Sequence, residues 1–135
     1  MKNFVIIISI CLAYFTACCS CKHENCHKKI IIINNSNKSI YYHPNSSNSD
    51  TLILDYNPTS IDGFKIEKLS SKNDYYNSCI EGRFYDSKTI RYIFYDAQIL
   101  ETTPWDTVRA KYLILKRYDL SLEDLQRMNW TITYP

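Results

Sequence analysis

The apolar and polar positions divide the chain into three regimes. Phe4 to Phe15 is an almost unbroken apolar run behind Lys2, Cys19 to Lys29 is polar, and from Ile30 onward short apolar stretches alternate with turn clusters. Ile30-Ile31-Ile32-Ile33 reads as a buried strand, four β-branched residues in a row. Asn34 to Lys38 is a turn cluster and Ser39 to His43 resumes a strand, so the two predict a hairpin. Pro44 to Asp50 predicts a loop, Thr51 to Leu54 either a short edge strand or an apolar loop anchor, and Asn57-Pro58 and Asp62-Gly63 mark turns. Phe64 to Leu69 alternates imperfectly as a half-buried strand, and Asn77 to Ser87 fits a short helix or an irregular crossing. Thr89 to Tyr95 has Ile90, Tyr92 and Phe94 on one face and predicts the central strand.

The last third carries stronger signals. Thr103-Pro104-Trp105-Asp106 offers a capping hydroxyl, a proline at the first helical position and an early acid, with Trp105, Val108 and Tyr112 on one face. Leu113 to Tyr118 reads as a strand. Ser121-Leu122-Glu123-Asp124 repeats the capping pattern, Leu120 can staple onto Leu125, and the helix ends near Asn129. Trp130, Ile132 and Tyr134 alternate in a closing strand that pairs into a sheet. The expected fold is α+β, mainly an antiparallel sheet or small β-sandwich with two or three short helices, as a single domain over residues 30–135.

The N-terminal regime changes where this domain is expected to work. The run behind Lys2 is shorter than the roughly 20 apolar residues of a membrane span. With small residues at Thr16-Ala17 it predicts a secretory signal peptide over residues 1–17. Phe15-Thr16-Ala17-Cys18 looks like a bacterial lipobox, which makes Cys18 the lipidated first residue and residues 18–29 a polar tether; Cys19 and Cys21 have poorer residues before them. Acyl chains such as palmitate, at about 0.8 kcal/mol per buried methylene, would hold the protein on a membrane.

Removing 17 of the 135 residues leaves 118, with 15 Lys+Arg (16 minus Lys2) against 14 Asp+Glu. Such near-neutrality without a basic cluster lacks the footprint of a nucleic-acid binder. Only Gly63 and Gly82 are glycine, so neither common phosphate-cradling motif can be written. Twelve tyrosines suit strands. Of six cysteines, Cys11 leaves with the signal and Cys18 with the lipid. Cys19, Cys21, Cys26 and Cys79 allow three pairings in an oxidising compartment. At most one bridge can join tether to domain, through Cys79, and the domain is not expected to depend on it.

The C-terminal run TTPWDTVRAKYLILKRYDLSLEDLQRMNWTITYP, the turn at residues 34–38 and the lipobox at Cys18 resemble small uncharacterised lipoproteins of gut Bacteroidales. The resemblance implies a cell-envelope location, lipid-anchored, on the outer membrane and facing the periplasm, since Cys19-Ser20-Cys21-Lys22-His23 is not acidic. It brings no activity and no cofactor. It also implies candidate O-glycosylation at Thr51 and Thr107, each in an Asp-Thr pair before an apolar residue.

Candidate chemistry is sparse. Cys19, Cys21, His23, Cys26 and His27 are soft or borderline donors without C-x-x-C spacing, and no metal is expected. Cys79 and His43 are the one drawable nucleophile pair. Asp96 and Glu101 form a carboxylate pair for hydrolysis of an envelope glycan or peptide. Tyr75-Tyr76, Tyr41-Tyr42, Trp105 and Trp130 are candidate aromatic contacts, with the tryptophans expected in the core. The reading reached is a membrane-anchored, non-enzymatic binding or scaffolding module for an envelope glycan or protein, with a carboxylate-pair hydrolase as alternative.

Overall fold

The computed structural model describes residues 26–45, 57–61 and 63–135, and the structural statements below concern these residues. The signal peptide expected over residues 1–17, Cys18 and the Thr51 to Leu54 stretch lie outside them.

The fold is α+β, with two antiparallel-rich sheets and short helices. Strands β1 (Lys29–Asn34), β4 (Ser70–Tyr75) and β7 (Thr131–Tyr134) form one sheet in the order β4-β1-β7. Strands β2 (Ile40–Asn45), β3 (Lys65–Ile66), β5 (Ile90–Asp96) and β6 (Lys116–Leu120) form the other in the order β3-β2-β5-β6. Only the β1–β7 pairing is parallel. Helices α1 (Ala97–Thr102), α2 (Trp105–Ala110) and α3 (Leu122–Arg127) and two 3-10 segments, Pro58–Ser60 and Ile80–Tyr85, complete the described residues.

Alternation along the strands produces layers. Ile30, Ile32 and Ile132 of the first sheet meet Ile40, Tyr42, Ile90, Tyr92 and Phe94 of the second in one core. The opposite face of β5, Ile93 and Tyr95, packs with Tyr41 against Ala97, Leu100 and Val108 of α1 and α2. The central strand is therefore buried on both faces, which a period-2 reading of TIRYIFY shows only for one. The closing strand is paired as expected, and the Tyr118 hydroxyl donates to the Thr133 carbonyl, 3.1 Å, tying the two sheets together.

The predicted hairpin is not formed. β1 and β2 belong to different sheets, and the turn cluster carries the chain between layers. Fully buried Asn34 is the joint: its amide donates to the carbonyls of Lys38, 2.7 Å, and Glu67, 3.0 Å, while its oxygen accepts from the Ser36 N–H and hydroxyl. Turn residues announce a reversal without saying which strand receives the chain. The real partner of β1 is β4, SSKNDY, whose inward positions Ser70, Lys72 and Asp74 are polar and gave no strand signal. Asp74 is tolerated there because the Tyr92 hydroxyl donates to it, 2.7 Å, with Tyr76 in turn 2.6 Å from Tyr92. Burial nevertheless raises the Asp74 carboxyl above its ordinary pKa.

Other boundaries moved. Strand character persists through Pro44-Asn45, because β3 pairs β2 only at Ile40 and Tyr41 and leaves Pro44 facing β5 alone. The Phe64 to Leu69 strand shortens to Lys65–Ile66, ending in a turn where Leu69 has φ +52°. The cap expected at Thr103 is replaced by Pro104, without a side-chain hydrogen bond, and the strand after α2 starts at Lys116. At α3 the capping box is complete: Ser121 accepts from the Asp124 N–H, and Asp124 accepts from the Ser121 N–H.

His43, 3% exposed, has its ring pKa lowered to about 4 by burial. A base whose folded pKa is depressed contributes stability that is present above its unfolded value of 6.5 and lost as pH falls towards about 4. Between pH 7 and pH 4.5 this loss is expected to reach on the order of 2 kcal/mol. Urea unfolding at the two pH values should show a smaller decrease in His43→Phe than in the parent; equal decreases would refute the assignment.

Candidate functional site

The end of β5 and the start of β2 meet at one end of the second sheet, where Ile40 pairs with Asp96. Asp96 serves as N-cap of α1: its Oδ1 accepts from the Gln98 N–H, 2.9 Å, and the Ile99 N–H, 3.2 Å. One turn of helix then sets Glu101 on the same side. The two candidate carboxylates thus line a single groove of about 340 Å³ together with Lys38, Ser39, Lys65, Gln98 and Thr102.

Each carboxylate is matched with a lysine. Lys38 Nζ is 3.2 Å from Asp96 Oδ2, and Lys65 Nζ is 2.8 Å from Glu101 Oε1. The Tyr41 hydroxyl also donates to Glu101, 3.0 Å. The Lys65 hydrogen bond, followed by that from Tyr41, holds the Glu101 carboxyl below its ordinary pKa. Glu101 therefore has no proton to give at neutral pH, and Asp96 has both oxygens engaged. The arrangement suits hydrogen bonding to hydroxyls or amides of a ligand better than general-acid chemistry.

A second hollow of about 420 Å³ shares Glu101 and Thr102 with the first and continues over Asn57, Thr59, Thr103 and Trp105. Trp105 is half-buried, its ring edge-on to Tyr95 at 5.9 Å. Its indole Nε1 is buried without a hydrogen-bond acceptor among the described residues. A tryptophan beside threonine hydroxyls and an asparagine amide, joined to a charged groove, forms one continuous polar surface with an aromatic end.

The other candidates separate. β4 and its end send Tyr75 outward, 71% exposed, and Tyr76 inward under Arg83, with the guanidinium carbon 4.6 Å from its ring centroid. They form no joint platform. Tyr41 and Tyr42 are buried in the two cores, and Trp130 is core as expected, with His27 stacked on it at 4.0 Å. Cys79 is bonded to Cys26 in a disulfide, which resolves the tether-to-domain bridge and removes the Cys79–His43 nucleophile pair. His27 Nδ1 lies 2.6 Å from Glu81, so Cys26 and His27 are both engaged otherwise than with a metal; Cys19, Cys21 and His23 lie outside the described residues. Thr107 sits half-exposed in the first turn of α2, with its N–H donating to Pro104, 2.9 Å; Thr51 is not among the described residues.

Sequence reasoning named Asp96, Glu101 and Trp105 but missed Lys38, Lys65, Gln98 and Asn57 around them. The run Asp96-Ala97-Gln98-Ile99-Leu100-Glu101 carries a capping residue before good helix formers, a signal for α1 that was there to be read. Comparison with known proteins returns no match, whether against family models, curated proteins or solved structures.

Proposed function

We propose that this chain is a lipid-anchored, non-enzymatic binding module of a bacterial envelope, taking a polar, hydroxyl-rich ligand such as an envelope glycan. The observation that carries the binding half is the continuous surface from Lys38 to Trp105, where paired charges, amides and hydroxyls adjoin an aromatic ring. The anchoring half rests on the lipobox at Cys18.

Calorimetric titration of the mature chain with soluble peptidoglycan fragments and envelope oligosaccharides tests the ligand. Binding to one of them, weakened at least tenfold in Trp105→Ala and unchanged in Tyr85→Ser, is the expected result; silence with both classes sinks it. For the anchor, protein extracted from native membranes should have the mass of residues 18–135 plus acyl chains, absent in Cys18→Ala. The second reading, hydrolysis by Asp96 and Glu101, is favoured by their meeting in one groove. Release of new chain ends from the same fragments, abolished by Glu101→Gln, would establish it in place of simple binding.

A further inference from the structure

The groove lies at one end of the described fold, and Cys26, the described residue nearest to Cys18 in sequence, lies at the other. β1 runs from Lys29 to Asn34, and β4 pairs with it antiparallel, so Tyr75 lies opposite Lys29 and Ser70 opposite Asn34. The Asn34 end holds the turn to Lys38, the start of β2 at Ile40, the end of β5 at Asp96, and α1. The Lys29 end holds Cys26, His27 and the Ile80–Tyr85 segment, pinned by the Cys26–Cys79 bond, the Ile80 N–H donating to the His27 carbonyl at 2.8 Å, and the Tyr76 N–H donating to the Lys28 carbonyl at 2.8 Å.

We infer that the Lys29 end is a membrane-docking surface, seated on the lipid headgroups of the anchoring bilayer and presenting the groove away from it. This rests on Cys18 being the anchor. Eight chain steps then separate Cys18 from the disulfide-fixed Cys26. They span at most about 28 Å at full stretch. A domain of this size is roughly 35 Å across, so the leash is shorter than the body it holds. The end carrying Cys26 therefore stays within that reach of the headgroups, and it bears the two most exposed tyrosines among the described residues, Tyr75 at 71% and Tyr85 at 76%. Tyr85 closes the segment that begins beside Cys79, about 10 Å along a 3-10 axis from Ile80. Tyrosine is the side chain that favours the water–hydrocarbon boundary, with ring in and hydroxyl out. Lys28 and Lys29 are exposed beside Tyr75, and Asp86 follows Tyr85. Charge at this end is mixed, and the tyrosines and the short leash carry the contact.

Hydroxyl-radical footprinting of the full lipidated protein in phosphatidylethanolamine–phosphatidylglycerol vesicles tests this, with the Cys18→Ser chain beside identical vesicles as comparison. Oxidation of Tyr75 and Tyr85, read by peptide mass spectrometry, is expected to fall at least threefold in the anchored protein. Leu69, 73% exposed beside the opposite end of β4, should be oxidised equally in both. Equal oxidation of the two tyrosines in a protein whose intact mass shows acyl chains on Cys18 would overturn the docking surface and leave the anchor standing. A mass without acyl chains would overturn the anchor and the docking together.

Discussion

Reduction of the Cys26–Cys79 bond is expected to destabilise the domain by about 4 kcal/mol and lower its melting temperature by on the order of 15 °C. The bridge spans 53 residues, and the entropy it removes from the unfolded chain grows with the logarithm of that loop. Read from sequence, the bridge was accessory, a tether thiol meeting a domain thiol. In the structure it closes a loop containing β1 to β4, and the tether residue it holds is already bonded to the domain through His27 and Lys28. Thermal melts with and without a non-thiol reductant, repeated on Cys79→Ser, would measure the effect. A shift under about 3 °C would mean that the hydrogen bonds of His27 and Lys28 hold this end without covalent help.

Asn34→Ala is expected to cost about 3 kcal/mol, more than the roughly 1 kcal/mol of removing a core methyl by Ile32→Val. The side chain is fully buried, and its loss removes the four hydrogen bonds it makes with Lys38, Glu67 and the N–H and hydroxyl of Ser36, each worth roughly 0.5–1.5 kcal/mol. Asn34 also directs the chain from one layer to the other, so Asn34→Asp, which keeps the acceptor but loses the donor, should recover only part of the loss. Urea midpoints of the three variants decide it; Ile32→Val exceeding Asn34→Ala would mean that water replaces the missing partners.

What could be read in advance followed the strength of local signals. The capping box at Ser121, the core tryptophan at 130, the paired C-terminal strand and a single Cys79 bridge all follow from side chains acting within a few residues or from simple counting. β4 escaped because its inward face is polar, with Asp74 met by hydroxyls of Tyr76 and Tyr92 while Lys72 and Ser70 donate to the Lys65 and Glu67 carbonyls. The hairpin failed because a turn cluster encodes reversal but not destination. In the groove, Asp96 and Glu101 were legible as acids near a strand end, whereas Lys38 and Lys65 arrive from a turn and a two-residue strand by tertiary register alone. No periodicity within either segment points to the carboxylate it meets.

The parallel pairing of β1 with β7 sets an order of events. β1 is the middle strand of its sheet, yet one of its two neighbours is made of residues 131–134. Until those last residues have emerged, the first strand of the domain keeps a row of backbone groups without a partner, and contacts this distant in sequence form slowly. Completion of this sheet awaits residues 131–134, so the fold closes around its first strand only when its last one is in place.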